Sequence, residues 1–87
     1  MAFYLPEKTA REFYAYVVNA DGSAQVWDRL TQGQAIWRYN WLRRQDRNNP
    51  HFTGREFGWE HNDRDGSPSL YAHPAVRAAL IEQREGK

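Results

Sequence analysis

The sequence predicts a small α+β domain of order ββαββα, with one antiparallel sheet and both helices packed on one of its faces. Two features of the first half carry this expectation. One is a pair of β-favouring runs around Asn19-Ala20-Asp21-Gly22, and the other is an amphipathic stretch from Thr31 to Gln45. The third observation is that the same order returns at an offset of 44 residues. Arg11-Glu12-Phe13 reappears as Arg55-Glu56-Phe57, and Asp21-Gly22-Ser23 as Asp65-Gly66-Ser67. That is six identities in thirteen positions, where average residue usage gives about one. The expectation is a single domain over residues 1–87, with a tandem ββα duplication as half-repeats 11–45 and 55–87.

Residues 1–10 hold Phe3, Tyr4 and Leu5 ahead of Pro6. They are expected to add an edge strand or pack across the core, or else to form a loose terminus. From Arg11 to Val18 the residues favour a strand, with Phe13, Ala15 and Val17 on one face and Tyr14, Tyr16 and Val18 on the other. Both faces are apolar, so both are expected to be covered. Gly22 takes the positive φ of a hairpin turn at no steric cost. Ser23 to Leu30 returns as the second strand, with Val26 and Trp27 on opposite faces and Arg29 on that of Trp27.

Thr31 is placed to cap the helix, and Gln34 three residues on completes a capping box. Arg43, Arg44 and Arg47 fall near the C-terminal end, where positive charge favours the helix dipole. Asn48-Asn49-Pro50 ends it, and residues 48–54 form a loop. Arg55 to His61 is the third strand, with Phe57, Trp59 and His61 on one face. Asn62 to Pro68 is turn chemistry, and Ser69 to Ala72 a short fourth strand. Pro74 suits the first position of a last helix, with Val76, Ala79 and Leu80 turned inward.

The helix over residues 31–47 has one apolar face too many. At 3.6 residues per turn Ala35, Tyr39 and Leu42 share a face, with Ile36 at its margin, and that set suffices for a core. Trp37 and Trp41 form an i,i+4 pair on nearly the opposite side, with Arg44 on one edge and Arg38 toward the other. Such a helix is sandwiched in a core, buried in a homodimer seam, or presents its second face to a partner. The leading expectation is a non-enzymatic protein-binding module. In it Trp37 and Trp41 anchor a protein partner, while Arg38 and Arg44 pair with the partner's acids. A small, cysteine-free chain rich in Trp and Arg is the style of product with which a phage or mobile element binds a host protein, as an inhibitor or adaptor. The alternative is nucleic-acid binding by the same helix, with Arg38, Arg43, Arg44 and Arg47 on phosphates and the aromatic rings stacked on bases.

Composition narrows the remaining classes. The net charge is +1, so no global field argues for nucleic acid, and no RRM, KH or helix-turn-helix signature is legible. Ten arginines against two lysines favour planar, bidentate recognition of carboxylate or phosphate. Five of those arginines fall between Arg29 and Arg47, with Asp46 the only acid in the span, whereas Glu56, Glu60, Asp63 and Asp65 gather in the second half. Intramolecular pairing of these two clusters is the competing explanation for both. There is no cysteine, hence no disulfide or thiolate metal site. His51, His61 and His73 are not spaced like zinc ligands. The stretch from His61 through Asp63 to Gly66 lacks the first carboxylate and the final Glu of a calcium loop. Glu56 and Glu60 share the strand face opposite Phe57 and Trp59 and could form a carboxylate pair, but exposed strand residues are the better default, since a catalytic pair needs a pocket and perturbed pKa values. No phosphate loop, dinucleotide fingerprint or nucleophile elbow is present. No enzymatic activity, metal or cofactor is therefore expected. With no apolar run long enough to span a bilayer and no signal-peptide pattern, the expected partner is not a membrane and the expected location is cytoplasmic.

Overall fold

The computed structural model describes residues 10–49 and 54–86. The expectations for Phe3, Tyr4 and Leu5 fall outside those residues. The described chain runs β1 (Phe13–Val18), β2 (Ala24–Leu30), α1 (Gln32–Asn48), β3 (Glu56–His61) and α2 (Pro74–Glu85). The strands form one antiparallel sheet in the order β2-β1-β3. The α+β class and the antiparallel sheet with two helices are as the sequence predicts.

β1 is the central strand because it alone is apolar on both faces, and both faces are covered. Ala15 lies opposite Trp27 on one side and Trp59 on the other, and Val17 lies opposite Phe57. These residues and Phe13 face α1, whose Ala35 and Leu42 are buried and whose Tyr39 ring lies 5.6 Å from that of Phe57. On the other face Tyr14 and Val18 form a cluster with Ala72 and with Val76 and Leu80 of α2, flanked by Tyr16, Ala24 and Val26. Gly58, directly opposite Tyr16, gives that ring room, because a Cβ there would stand 2.8 Å from the Tyr16 hydroxyl oxygen.

The two helices therefore sit on opposite faces and make no contact with each other, which corrects the expectation that both pack on one face. The reason is geometric. Three strands spaced about 4.8 Å apart span little more than the 8–10 Å between packed helix axes. One face seats one helix, and the two-sided β1 needs a cover on each.

The expected fourth strand is also absent among the described residues, and the tandem ββα duplication goes with it. Pro68 stands where the first half has Ala24, and it has no N–H to give to a ladder. The next residues fold on themselves instead. Ala72 N donates to Ser69 O (3.1 Å), Tyr71 N to Ser69 Oγ (3.1 Å) and Leu70 N to Asp63 Oδ2 (3.2 Å). What does repeat is the turn. Gly22 and Gly66 take φ of 89° and 86°. Their amides donate to Asn19 O and Asp63 O at 2.9 and 2.8 Å. Asp21 and Asp65 each accept from the amide and hydroxyl of the serine two residues on, which holds both carboxyls below the usual range.

β2 contains a bulge at which Tyr14 faces both Asp28 and Arg29, and Arg29 lies in the left-handed region at φ 56°. The extra residue breaks the alternation, so Leu30 and not Arg29 shares the face of Trp27, opposite Phe13. Asp28 is turned toward α2, where Arg84 takes it bidentately, Nε to Oδ2 at 2.6 Å and Nη2 to Oδ1 at 3.1 Å. Arg84 also donates to Gly66 O (2.8 Å) and Asn62 Oδ1 (3.1 Å), so one side chain ties α2 to β2 and to the turn after β3. Burial pushes the Asp28 carboxyl up, but Arg84 and the Arg29 amide outweigh it and hold the carboxyl below its usual range. On the same face Tyr14 donates its hydroxyl to Glu60. Burial first, then that carboxylate, push the phenol well above its ordinary value.

Candidate functional site

α1 starts where the sequence places it. Thr31 Oγ1 accepts from Gln34 N (3.2 Å) and Gln34 Oε1 from Thr31 N (3.0 Å), which completes the capping box. With the start fixed, the helical period sets the faces. Ala35 and Leu42 point at the sheet, Tyr39 is half-buried, and Ile36 is at the margin, 37% exposed. Asp46, the only acid on the helix, is also turned inward, and its Oδ1 meets Arg55 Nε at the start of β3 (3.0 Å).

The far side of the helix carries the tryptophans. Trp37 is 56% exposed and Trp41 half-buried. The Arg38 guanidinium lies among three indoles, 4.8 Å from the ring centroid of Trp27, 5.3 Å from Trp37 and 4.8 Å from Trp41. Each such contact is worth roughly 0.5–1 kcal/mol at an exposed site, enough to favour these ring positions over others. Trp27 is the residue that sequence reasoning missed. It sits on the edge strand β2, on the face that α1 covers, and so at the margin of the helix. The alternation of β1 and β2 contained that signal, because Trp27 and Ala15 are register partners.

Arg44 is exposed and stands between two shallow depressions. Trp37, Asn40, Arg43 and Arg47 border one, and Trp41, Gln45 and Asn48 the other. Arg43 leans toward the Tyr39 ring, 5.9 Å away. The structure thus brings Trp37, Trp41, Arg38 and Arg44 to one surface, with Arg43 and Arg47 on its border. The acids of the second half do not reach it. Glu60 takes the Tyr14 hydroxyl, Asp63 the Leu70 amide and Asp65 the Ser67 amide and hydroxyl. Glu56 is aligned with Val18 on the α2 face of the sheet. Among the described residues no carboxylate pairs with Arg38, Arg43, Arg44 or Arg47, so the surface is both apolar and positively charged.

Among the described residues no group of three His, Asp or Glu side chains is placed to hold a metal ion. No helix among them is long and apolar enough to cross a membrane. No family model, no curated protein and no solved structure matches the chain.

Proposed function

We propose that this protein is a non-enzymatic binding module, an inhibitor or adaptor, that docks an acidic surface of a partner protein on the Trp37/Trp41 face of α1. The supporting observation is that the fully buried residues of α1 lie on one side, whereas on the other side Trp41 is half-buried and Trp37 mostly exposed. Ala35 and Leu42 satisfy the sheet, while Trp37 keeps more than half of its surface in solvent beside uncompensated arginines. Trp and Arg are enriched among the residues that dominate interface energetics, and a ring already favoured in one position by a guanidinium has less freedom to lose on docking. The arginines add charge complementarity, which favours an acidic partner and rejects a basic one.

The test is capture by the tagged full chain from a nuclease-treated lysate of the source organism, beside an untreated sample and the variant Trp37→Ala/Arg44→Ala. The reading predicts a stoichiometric protein band that survives nuclease, weakens as salt rises and is lost with the variant. Trp37→Ala alone should weaken a purified partner by about 2 kcal/mol, roughly thirty-fold. A band held equally by wild type and variant would place the site elsewhere. Recovery of nucleic acid, with protein bands lost on digestion, would transfer the face to phosphate recognition by Arg38, Arg43, Arg44 and Arg47. Self-association abolished by the variant would make it a homodimer seam.

A further inference from the structure

A second cleft, away from the tryptophan face, lies at the end of the sheet where β1 begins and β2 and β3 finish. Its volume is about 270 Å³, and Arg11, Arg29 and Arg64 line it from three separate segments. We infer that this cleft binds a small phosphoryl dianion. Its two acids already have partners. Glu12 Oε2 meets His61 Nε2 at 3.2 Å, and Asp63 Oδ2 accepts from Leu70 N at 3.2 Å. Arg11 spends one Nη1 on Arg29 O and Gln34 Oε1, both at 3.3 Å. Among the described residues neither Arg29 nor Arg64 forms an ion pair within 4 Å, although the Arg29 charge acts on the Asp28 carboxylate. The guanidinium forks thus keep donors whose spacing suits phosphate oxygens. The volume is below the range for drug-sized ligands, so the occupant is small.

The backbone of Arg29 adds an independent reason. A non-glycine residue at φ 56° is held there at a cost. Glycine would satisfy the same bulge without strain, whereas the arginine brings a charge that also helps to hold the neighbouring Asp28 carboxyl below its usual range. Bulges re-aim side chains beside binding sites, and strained residues cluster at ligand clamps. Here the bulge places Arg29 on the lining of the cleft that Arg11 and Arg64 share, with its carbonyl accepting from Arg11.

The phosphoryl group comes either from free phosphate or from a phosphorylated side chain of another protein, and the experiment separates the two. The thermal midpoint of the full chain is measured in inorganic phosphate against chloride at matched ionic strength and pH. A second arm compares a phosphoserine peptide with its unphosphorylated form. Phosphate is expected to raise the midpoint in a saturable way that chloride does not reproduce. Arg29→Gly is expected to raise the midpoint in chloride, because the strain is gone, yet to weaken the phosphate response at least tenfold. Arg64→Gln, in an exposed turn, should leave the chloride midpoint unchanged and weaken the response likewise. Tighter binding of the phosphopeptide than of phosphate assigns the group to a partner's side chain, and the reverse assigns it to free phosphate. A wild-type chain stabilised by neither phosphate nor phosphopeptide, or two variants that both keep the full response, would overturn the assignment.

Discussion

Arg84→Ala is expected to cost about 3–5 kcal/mol, because it leaves the Asp28 carboxylate buried without its counter-charge. Asp28 has only 6% of its side chain exposed, and Arg84 supplies both of its guanidinium contacts as well as the bonds to Gly66 and Asn62. A domain of this size has a total stability of roughly 5–15 kcal/mol, so the loss is a large fraction of the whole. The effect also has a pH signature. The folded-state carboxyl of Asp28 is held below its unfolded value. Its contribution is therefore complete above the unfolded pKa of about 3.9, and it is lost as pH falls through the depressed folded value. Without Arg84 the buried carboxyl is easier to protonate, and protonation relieves the variant. The gap between wild type and Arg84→Ala, read from urea unfolding at several pH values, should be widest near neutrality and close in acid. A gap independent of pH would mean that Arg84 acts by packing alone.

Leu42→Ala and Leu80→Ala are each expected to cost about 3 kcal/mol, since both side chains are fully buried and neither site can collapse freely. They report on different layers, Leu42 under α1 and Leu80 under α2. Because the helices meet only through the sheet, substitutions on the two faces should not couple. The milder pair Leu42→Val and Val76→Ala, singly and together, should add to within about 0.5 kcal/mol. Strong coupling in that cycle would be the mark of a single shared core, with both helices on one face.

That difference separates what the sequence shows from what it hides. The hairpin, the capping box of α1, the Pro74 start of α2 and the inward set of Val76 and Leu80 follow from local rules, and the structure contains each of them. The Asp-Gly-Ser turns are equally local, and they repeat down to their hydrogen bonds. The fourth strand was expected at Ser69–Ala72 after turn chemistry, but those residues close on Ser69 and Asp63 instead of joining a ladder. The bulge at Asp28–Arg29 was not legible, because alternation carries no mark of an inserted residue. What needs it is non-local: Asp28 must reach Arg84, 56 residues away in sequence. The arrangement of the helices was implicit in β1, whose two apolar faces already required two covers.

The placement of the candidate residues on the helix was more legible than the topology. Trp37, Trp41, Arg38 and Arg44 were placed by helical period alone, and the structure brings them to one surface. Trp27 was missed because it arrives from a different element. The competing pairing of the arginines with Glu56, Glu60, Asp63 and Asp65 turned on tertiary placement, which no spacing rule reaches.

The central claim is that α1 carries two apolar faces and that the fold uses one of them. The unfolding free energy of Trp37→Ala in urea tests it most directly. Trp37 keeps more than half of its surface in solvent, and alanine is the better helix former, so the loss of its contact with Arg38 is partly offset. The account predicts a change within about 0.5 kcal/mol of wild type, as for a surface position. A loss of about 2 kcal/mol or more, approaching that of Leu42→Ala, would place Trp37 in the core and contradict the claim.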